Sequence, residues 1–308
     1  SVPPELANAV QSITRLGKYY ASLSCVYDHT WVTNKGTDNE HARKYTIKQH
    51  RANVIMAEEL TGKDKHPRTR LLGKNSRYYF VIEKRGDQPF VLVDVRPASE
   101  ADAKFRARFK PPGFFLESPA AIGDTTLAGL LDALDSSRLT LSAPAGWRKN
   151  DNQFDLEIEI RDAPEAVPTT VVPFKAAITL QKRITGDWVI RAGDVTYSKR
   201  GAEPFGYTFT ISIDECDGVP VPSTVIRNQW GMYNGSRTTA VSESRTKLVK
   251  LGGLSDTDFT LSAFGLPEPF GIEWEKPIPW GLYIIGGTLG MVVVMGVIWR
   301  IRRWRAAA

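Results

Sequence analysis

"FDLEIEI", Phe154–Ile160, and "YTFTISID", Tyr207–Asp214, decide the fold. In the first, Phe154, Leu156, Ile158 and Ile160 alternate with Asp155, Glu157 and Glu159. In the second, Tyr207, Phe209, Ile211 and Ile213 alternate with threonines, Ser212 and Asp214. A period of two places one set on each face of an extended chain. Strands of this kind form antiparallel sheets with one face on a core and one face in water. Neighbouring segments extend the pattern: "VVPFKAAITLQKR", "DWVIRAGDVTYSK", "VPSTVIRNQW" and "SRTTAVSESRTKLVK". The turns between them are short, at Thr185-Gly186-Asp187, Asp217-Gly218 and Asn234-Gly235, as hairpins require.

Toward the N-terminus, "SLSCVYDHTWV" sets Leu23, Cys25, Tyr27 and Trp31 on one strand face. "RKYTIKQHRANVIM", "RYYFVIEK" and "FVLVDV" are further strands, the last two joined by the turn-like "RGDQP". Helices must cover the apolar face. The first is "PPELANAVQSITRLGKYY", with Leu6, Ala9, Val10, Ile13 and Leu16 at helical spacing and Gly17 as a stop. "SEADAKFRARF" places Phe105 and Phe109 on one face, with Ser99 as its cap. "DTTLAGLLDALDSS" places Leu127, Leu130, Leu131 and Leu134 at i, i+3, i+4 and i+7. The expectation is an α+β fold: a large curved antiparallel sheet around an apolar interior, with N-terminal and mid-chain lid helices. Phe105, Phe109 and the four leucines are expected to face that interior.

The chain ends differently. "WGLYIIGGTLGMVVVMGVIW", Trp280–Trp299, holds no charge, and as a helix it spans a hydrocarbon core of about 30 Å. Trp280 and Trp299 flank it at headgroup level, and Arg300, Arg302, Arg303 and Arg305 follow it. The positive-inside rule then places the C-terminus in the cytoplasm and everything before Trp280 outside. The missing initiator methionine fits a removed signal peptide. Gly286 and Gly290 form a small-xxx-small pair suited to contact with other membrane-protein subunits. The expected organisation is an extracytoplasmic domain at 1–256, a Gly/Pro-rich tail with some docked aromatics and then a linker at 257–279, a membrane helix at 280–299 and a basic tail at 300–308. The expected location is a bacterial cytoplasmic membrane, spanned once, with the main domain in the periplasm.

Charge supports this. The net charge is +6, and the four tail arginines supply +4 of it, leaving +2 elsewhere. A nucleic-acid partner is not expected from that distribution. The two cysteines, Cys25 and Cys216, allow one disulfide in an oxidising compartment, although alternation gives Cys216 the parity of Ser212 and Asp214. No metal motif, P-loop, GxSxG elbow or GxGxxG turn occurs. His29 lies on the apolar parity of its strand and reads as structural. Asp155, Glu157 and Glu159 form a solvated stripe rather than a pair flanking a cleft. A non-enzymatic protein without metal or cofactor is expected.

The order of elements resembles the LolA/LolB/LppX superfamily of extracytoplasmic half-barrels: helix, antiparallel strands, mid-chain helices, then a longer antiparallel run. "DFTLSAFGLPEP" also resembles the tails of uncharacterised planctomycete proteins of LolA-like type. The resemblance covers roughly residues 4–270. It implies a half-barrel sheet cupped around an apolar cavity, with helices as a lid, that holds acyl chains or partner proteins; Phe105, Phe109, Leu127, Leu130, Leu131 and Leu134 are then its expected lining, and a membrane lipid, a lipoprotein or another apolar molecule its expected ligand. The membrane helix departs from the pattern, since LolA is soluble and LolB and LppX carry lipid anchors. The same architecture also suits a non-catalytic subunit of a larger membrane complex.

Overall fold

The computed structural model describes residues 2–60, 68–102, 105–106, 108–109, 116–123, 125–134, 137–161, 172–198, 203–233 and 236–269. The chain divides into two compact units, Ser1–Pro267 and Glu268–Ala308. The expected membrane helix and basic tail lie outside the described residues. Among the described residues no helix is long and apolar enough to cross a membrane.

The first unit begins with helix α1 (Pro4–Ser22), which leads directly into β1 (Ser24–Thr33). A meander follows: β2 (His41–His50), β3 (Asn53–Leu60), β4 (Arg68–Lys74), β5 (Tyr78–Arg85) and β6 (Val91–Pro97). A 3₁₀ turn at Ser118–Ala120, a small hairpin of β7 (Ala121–Ile122) and β8 (Thr125–Thr126), and helix α2 (Leu127–Ala133) connect it to a second meander. That meander comprises β9 (Leu139–Ser142), β10 (Arg148–Asn150), β11 (Gln153–Ile160), β12 (Phe174–Lys182), β13 (Trp188–Tyr197), β14 (Phe205–Cys216), β15 (Val219–Tyr233) and β16 (Ser236–Leu251). The two meanders join where β16 pairs antiparallel with β1, from Cys25↔Leu251 to Thr33↔Ser242. The result is one antiparallel sheet running β10 to β16, then β1 to β6, with β9 paired to β11.

Alternation buries one face of this sheet. Phe154, Leu156, Ile158 and Ile160 of β11 and Tyr207, Phe209 and Ile211 of β14 are all buried in a single core that also holds the apolar stripe of α1. We call this the inner face. Helix α1 starts at two prolines, where a missing N–H costs nothing. It buries Leu6, Ala9, Val10 and Ile13. Gly17 is not its stop. The helix continues to Ser22, and Gly17 instead permits close approach, since a Cβ there would meet Thr126, Ala128 and Ala120 at 3.4–3.6 Å. Hydrogen bonds fix α1 across the sheet: Ser12 Oγ accepts from Trp188 N–H at 3.1 Å, Gln49 Nε2 donates to Tyr20 O at 2.7 Å, and Tyr20 O–H donates to Pro220 O.

One local expectation needs correction. Asp102, not Ser99, caps the segment carrying Phe105, because its carboxylate accepts from Phe105 N–H at 2.6 Å. Residues 257–266, the start of the expected tail with its docked aromatics, pack onto the domain. Gly252 and Gly253, at φ +68° and +72°, turn the chain after β16, a conformation that glycine adopts without cost. The chain then crosses the outer face of β3–β5. Phe259, Thr260 and Leu261 are buried. Asn53 Nδ2 donates to Asp256 at 2.8 Å, Asn75 Nδ2 to Phe259 O at 3.0 Å, and Leu261 N–H to Tyr78 Oη at 3.1 Å.

This strap explains why β5 reads as apolar on both parities. Val81 faces the inner core, whereas Tyr78, Phe80 and Ile82 are buried on the outer face. Phe80 packs on Phe264 at 6.1 Å between ring centroids and lies over Gly73, its partner across the β4–β5 ladder. A Cβ on Gly73 would overlap that ring. Overpacking of this kind costs about 1–3 kcal/mol. Gly73→Ala should therefore lower the denaturant midpoint of the domain and expose the strap to protease, whereas Gly36→Ala, in open space, should leave the strap protected. Equal protection in Gly73→Ala and the parent would disprove this packing account.

Candidate functional site

The inner face is built in rows, because residues opposite one another on paired strands share a face. One row is apolar across six strands: Leu248, Tyr27, Ile47, Met56, Leu72 and Val81, on β16, β1, β2, β3, β4 and β5. The next row, two residues along each strand, reads Thr246, His29, Tyr45, Glu58, Arg70 and Glu83. The one after includes Ser244, Trp31 and Arg43. The face thus changes from hydrocarbon to polar groups in a single step. A long row behaves the same way across the sheet: Leu156, Ile178, Gly193 and Phe209 lead to Arg227, Ser242 and Thr33.

The polar groups are paired. Glu83 accepts from Arg70 Nε at 2.6 Å and Arg68 Nη2 at 2.9 Å. Burial alone would raise its pKa, but the two guanidinium groups hold it below the usual carboxylate value. Glu58 is buried, with Tyr45 O–H donating at 3.4 Å and the Arg43 guanidinium forming an ion pair at 3.7 Å. His29 is 1% exposed, and its Nδ1 lies 3.0 Å from Thr246 Oγ1. Burial pulls its pKa down to about 4, so the ring is neutral at pH 7. It is held as a structural histidine.

Where the inner face leaves the core along β14–β16, it opens a pocket of about 420 Å³. Phe205, Tyr207, Arg227, Gln229, Trp230 and Thr238 are among its walls. Phe205 is 44% exposed and stacks on Tyr197 at 4.8 Å and 12°. The Arg227 guanidinium lies 3.6 Å from the Tyr207 ring centroid, a cation–π geometry that fixes the side chain as a flat, charged surface. A smaller hollow of about 280 Å³ lies by the β12–β13 turn, beside the Arg183–Glu215 ion pair of 2.6 Å.

The expected lining residues fall into two groups. Leu127 and Leu130 are buried under α1, and Leu131 and Leu134 are partly buried against the same core. Thr126 caps α2, its Oγ1 accepting from Gly129 N–H at 3.0 Å, and Leu134 lies beyond the last helical turn. Phe105 and Phe109 instead pack on Tyr79 of β5, at 6.2 and 5.0 Å, with Arg96 4.1 Å from the Phe105 ring centroid. Trp280, Gly286, Gly290, Trp299, Arg300, Arg302, Arg303 and Arg305 lie outside the described residues. The disulfide is not made. Cys25 and Cys216 are both free thiols. They sit on β1 and β14, which β15 and β16 separate. Three strand spacings amount to about 14 Å along the sheet, far beyond disulfide reach.

Arg227, Tyr207 and Phe205 were absent from the expected lining. The signal for Arg227 is parity: in "VPSTVIRNQW" it shares the face of buried Val225. Arg43 beside Tyr45 and Glu58 beside Met56 break the apolar pattern in the same way. Burial pushes the Cys25 thiol up to about 12, too high for a thiolate nucleophile at neutral pH. Among the described residues no cluster of metal-ligating side chains occurs.

No family model and no curated protein matches the chain. Among solved structures it is similar to a LolA superfamily protein from Nitrosomonas europaea, at 12% identity and TM-score 0.45, covering 82% of this chain and 97% of that one. It is also similar to a putative outer membrane lipoprotein-sorting protein domain from Vibrio parahaemolyticus, at 13% and 0.38, covering 84% and 99%. A third is LprF from Mycobacterium bovis, at 13% and 0.30, covering 83% and 96%.

The buried His29 makes stability depend on pH. An unfolded imidazole takes a proton near pH 6.5, whereas the folded one resists until about 4. Between those values the unfolded chain binds more protons, so stability rises with pH across the window and is lost as pH falls through it. The ceiling is roughly 3 kcal/mol. Glu117, its pKa raised by burial, acts in the opposite sense, so the comparison must be between variants. Chemical denaturation of the parent and His29→Gln at pH 4.0 to 7.0 should give a shallower slope in the variant. Parallel slopes would show that His29 is not buried neutral.

Proposed function

We propose that this chain is a membrane-anchored, extracytoplasmic half-barrel of LolA-like type that binds an apolar ligand, a lipid or a lipid-modified protein, on the inner face of its sheet. The observation that carries this reading is the pocket of about 420 Å³ at the edge of the inner core, where Phe205 and Tyr207 form an aromatic wall beside Arg227, Gln229, Thr238 and Thr239. Sites of that size and lining hold small amphipathic ligands. Helices α1 and α2 pack on the apolar core of the same face. The work is binding, with no cofactor and no reaction. The charge-free stretch 280–299 and its arginines anchor the chain in a bacterial cytoplasmic membrane with the domain in the periplasm.

One observation favours a second reading, a non-catalytic subunit of a membrane complex. Strand β6 is an edge of the sheet and exposes Val91, Leu92 and Val93, at 62%, 38% and 55%. Edge strands offer backbone groups to another chain. Gly286 and Gly290 serve the same reading within the membrane.

Native mass spectrometry of the whole chain released from mild detergent separates the two. Stoichiometric co-purifying lipid is the expected result, and lipid-free protein with stoichiometric partner chains would replace the first reading with the second. The topology has its own test. Protease added to intact spheroplasts should remove most of the mass, and protection of residues 1–275 with loss of the tail would reverse the orientation.

A further inference from the structure

Strand β6 ends the sheet, and its outer edge is built to be paired. Ala98 N–H donates to Arg77 O at 2.6 Å, so the backbone groups of Ala98 point at β5. Successive residues of a strand direct these groups to alternate sides. Arg96 and Asp94, opposite Tyr79 and Val81, therefore also address β5, whereas Pro97 and Val95 address the free edge. Proline lacks an N–H there, the one edge position that tolerates it. The ladder is regular from Asp94 to Pro97, and its bulge lies beyond, between Leu92 and Asp94. Among the described residues no strand takes up the free edge. Proteins usually blunt such an edge with lysines or a covering segment. Here its exposed residues include Val91, Leu92 and Val93.

The sequence of the edge complements itself. A strand that pairs with its own copy about a twofold axis runs antiparallel, with one residue opposite its twin. An axis at Asp94 sets two carboxylates face to face, which is destabilising. An axis at Val93 falls in the bulge and sets Asp94 against Leu92. An axis at Val95 sets Asp94 against Arg96 twice and Val93 against Pro97 twice. In that register Val95, whose backbone is free, exchanges both hydrogen bonds with its twin. Val95 lies on the outer face, opposite Phe80, and Asp94 and Arg96 on the inner face, opposite Val81 and Tyr79. The contact is then apolar on one face and ionic on the other. Within one chain Asp94 and Arg96 have only long contacts, 3.8 Å to each other, 3.5 Å from Asp94 to Arg108 and 3.8 Å from Arg96 to Asp102, so both can turn to a partner.

We propose that β6 pairs with β6 of a second copy of this chain about a twofold axis at Val95, making one sheet of two. This rests on the subunit reading above for the free edge and names its partner. It needs neither the pocket nor a ligand.

The test uses the whole chain in mild detergent, with native mass spectrometry and oxidative cross-linking. Dimers are expected from the parent. Twin residues at Val95 stand about 5.5 Å apart between Cα atoms, within disulfide reach, so Val95→Cys should give linked dimers on oxidation. Twins at Val91 are about 27 Å apart in this register, so Val91→Cys should link no more than the parent with its two native cysteines. Val95→Lys sets like charges opposite each other and should weaken the dimer about tenfold or more. Because that charge also bears on β6 itself, a mixture is the second measurement: Val95→Lys and Val95→Glu, each monomeric alone, should form a heterodimer together. A monomeric parent would overturn the pairing, and lipid bound to that monomer would leave the ligand reading standing. Dimers that persist in Val95→Lys, with Val95→Cys unlinked, would place the contact on another surface and overturn it as well. Linking of Val91→Cys as efficient as that of Val95→Cys would overturn the register.

Discussion

The pairing of β1 with β16 is the constraint on which the rest of the molecule depends. Each meander is built from neighbours in sequence, and each alone would end in an open edge where the other now begins. Joining them makes the inner face continuous, so that the row of Leu248, Tyr27, Ile47, Met56, Leu72 and Val81 runs unbroken across the seam. The seam closes a loop of more than two hundred residues, which is entropically expensive and slow to form. It is reinforced on both faces. On the inner face Tyr27 and His29 are buried against Leu248 and Thr246. On the outer face Glu243 is held by Lys35 and by Arg245 Nε at 2.6 Å, and Lys35 N–H donates to Val241 O at 3.0 Å. Helix α1 precedes β1 directly, so docking the seam also places the helix over the core.

Much of this was legible in the sequence, and the reason is periodicity. Strands such as Phe154–Ile160 have one buried and one solvated face, so their alternation survives as a pattern of residue types. The stripe of α1 is equally plain. Legibility failed where a second layer intervened. Strand β5 buries Tyr78, Phe80 and Ile82 on one side and Val81 on the other, so its apolar run carries no parity to read. The segment that causes this, around Phe259 and Leu261, reads as an extended tail with docked aromatics, but its glycines and prolines give no period that says which strands it docks on. An irregular path is also what a strap across a sheet requires.

The candidate site was less visible for a related reason. Residues that define it sit on the buried parity but are polar: Arg227, Glu58, Arg43 and Arg70. A reading that scores strands by apolar count treats each as a blemish. The leucines of α2 attracted attention because they obey their pattern, and Leu127 and Leu130 are indeed buried. Obedience to a pattern marks a core, however, and a site more often appears as a departure from it. The cysteines illustrate the converse. Their even number invited a bridge, yet their strands are held three spacings apart by β15 and β16, a fact that only the sheet order reveals.

The polar rows also bear on what the inner face is for. Glu58 and Glu83 are substantially buried and need guanidinium partners to be tolerated there. Buried ion pairs of this kind seldom add stability, because desolvation offsets most of the attraction, and apolar residues of equal volume commonly serve as well or better. The adjacent row proves that this sheet accommodates a fully apolar lining at the next step along the strands. A continuation of Tyr27, Ile47, Met56 and Leu72 in kind would have closed the interior into an ordinary core. Instead the lining turns ionic within two residues, where Tyr45, Glu58, Arg70 and Glu83 follow Ile47, Met56, Leu72 and Val81.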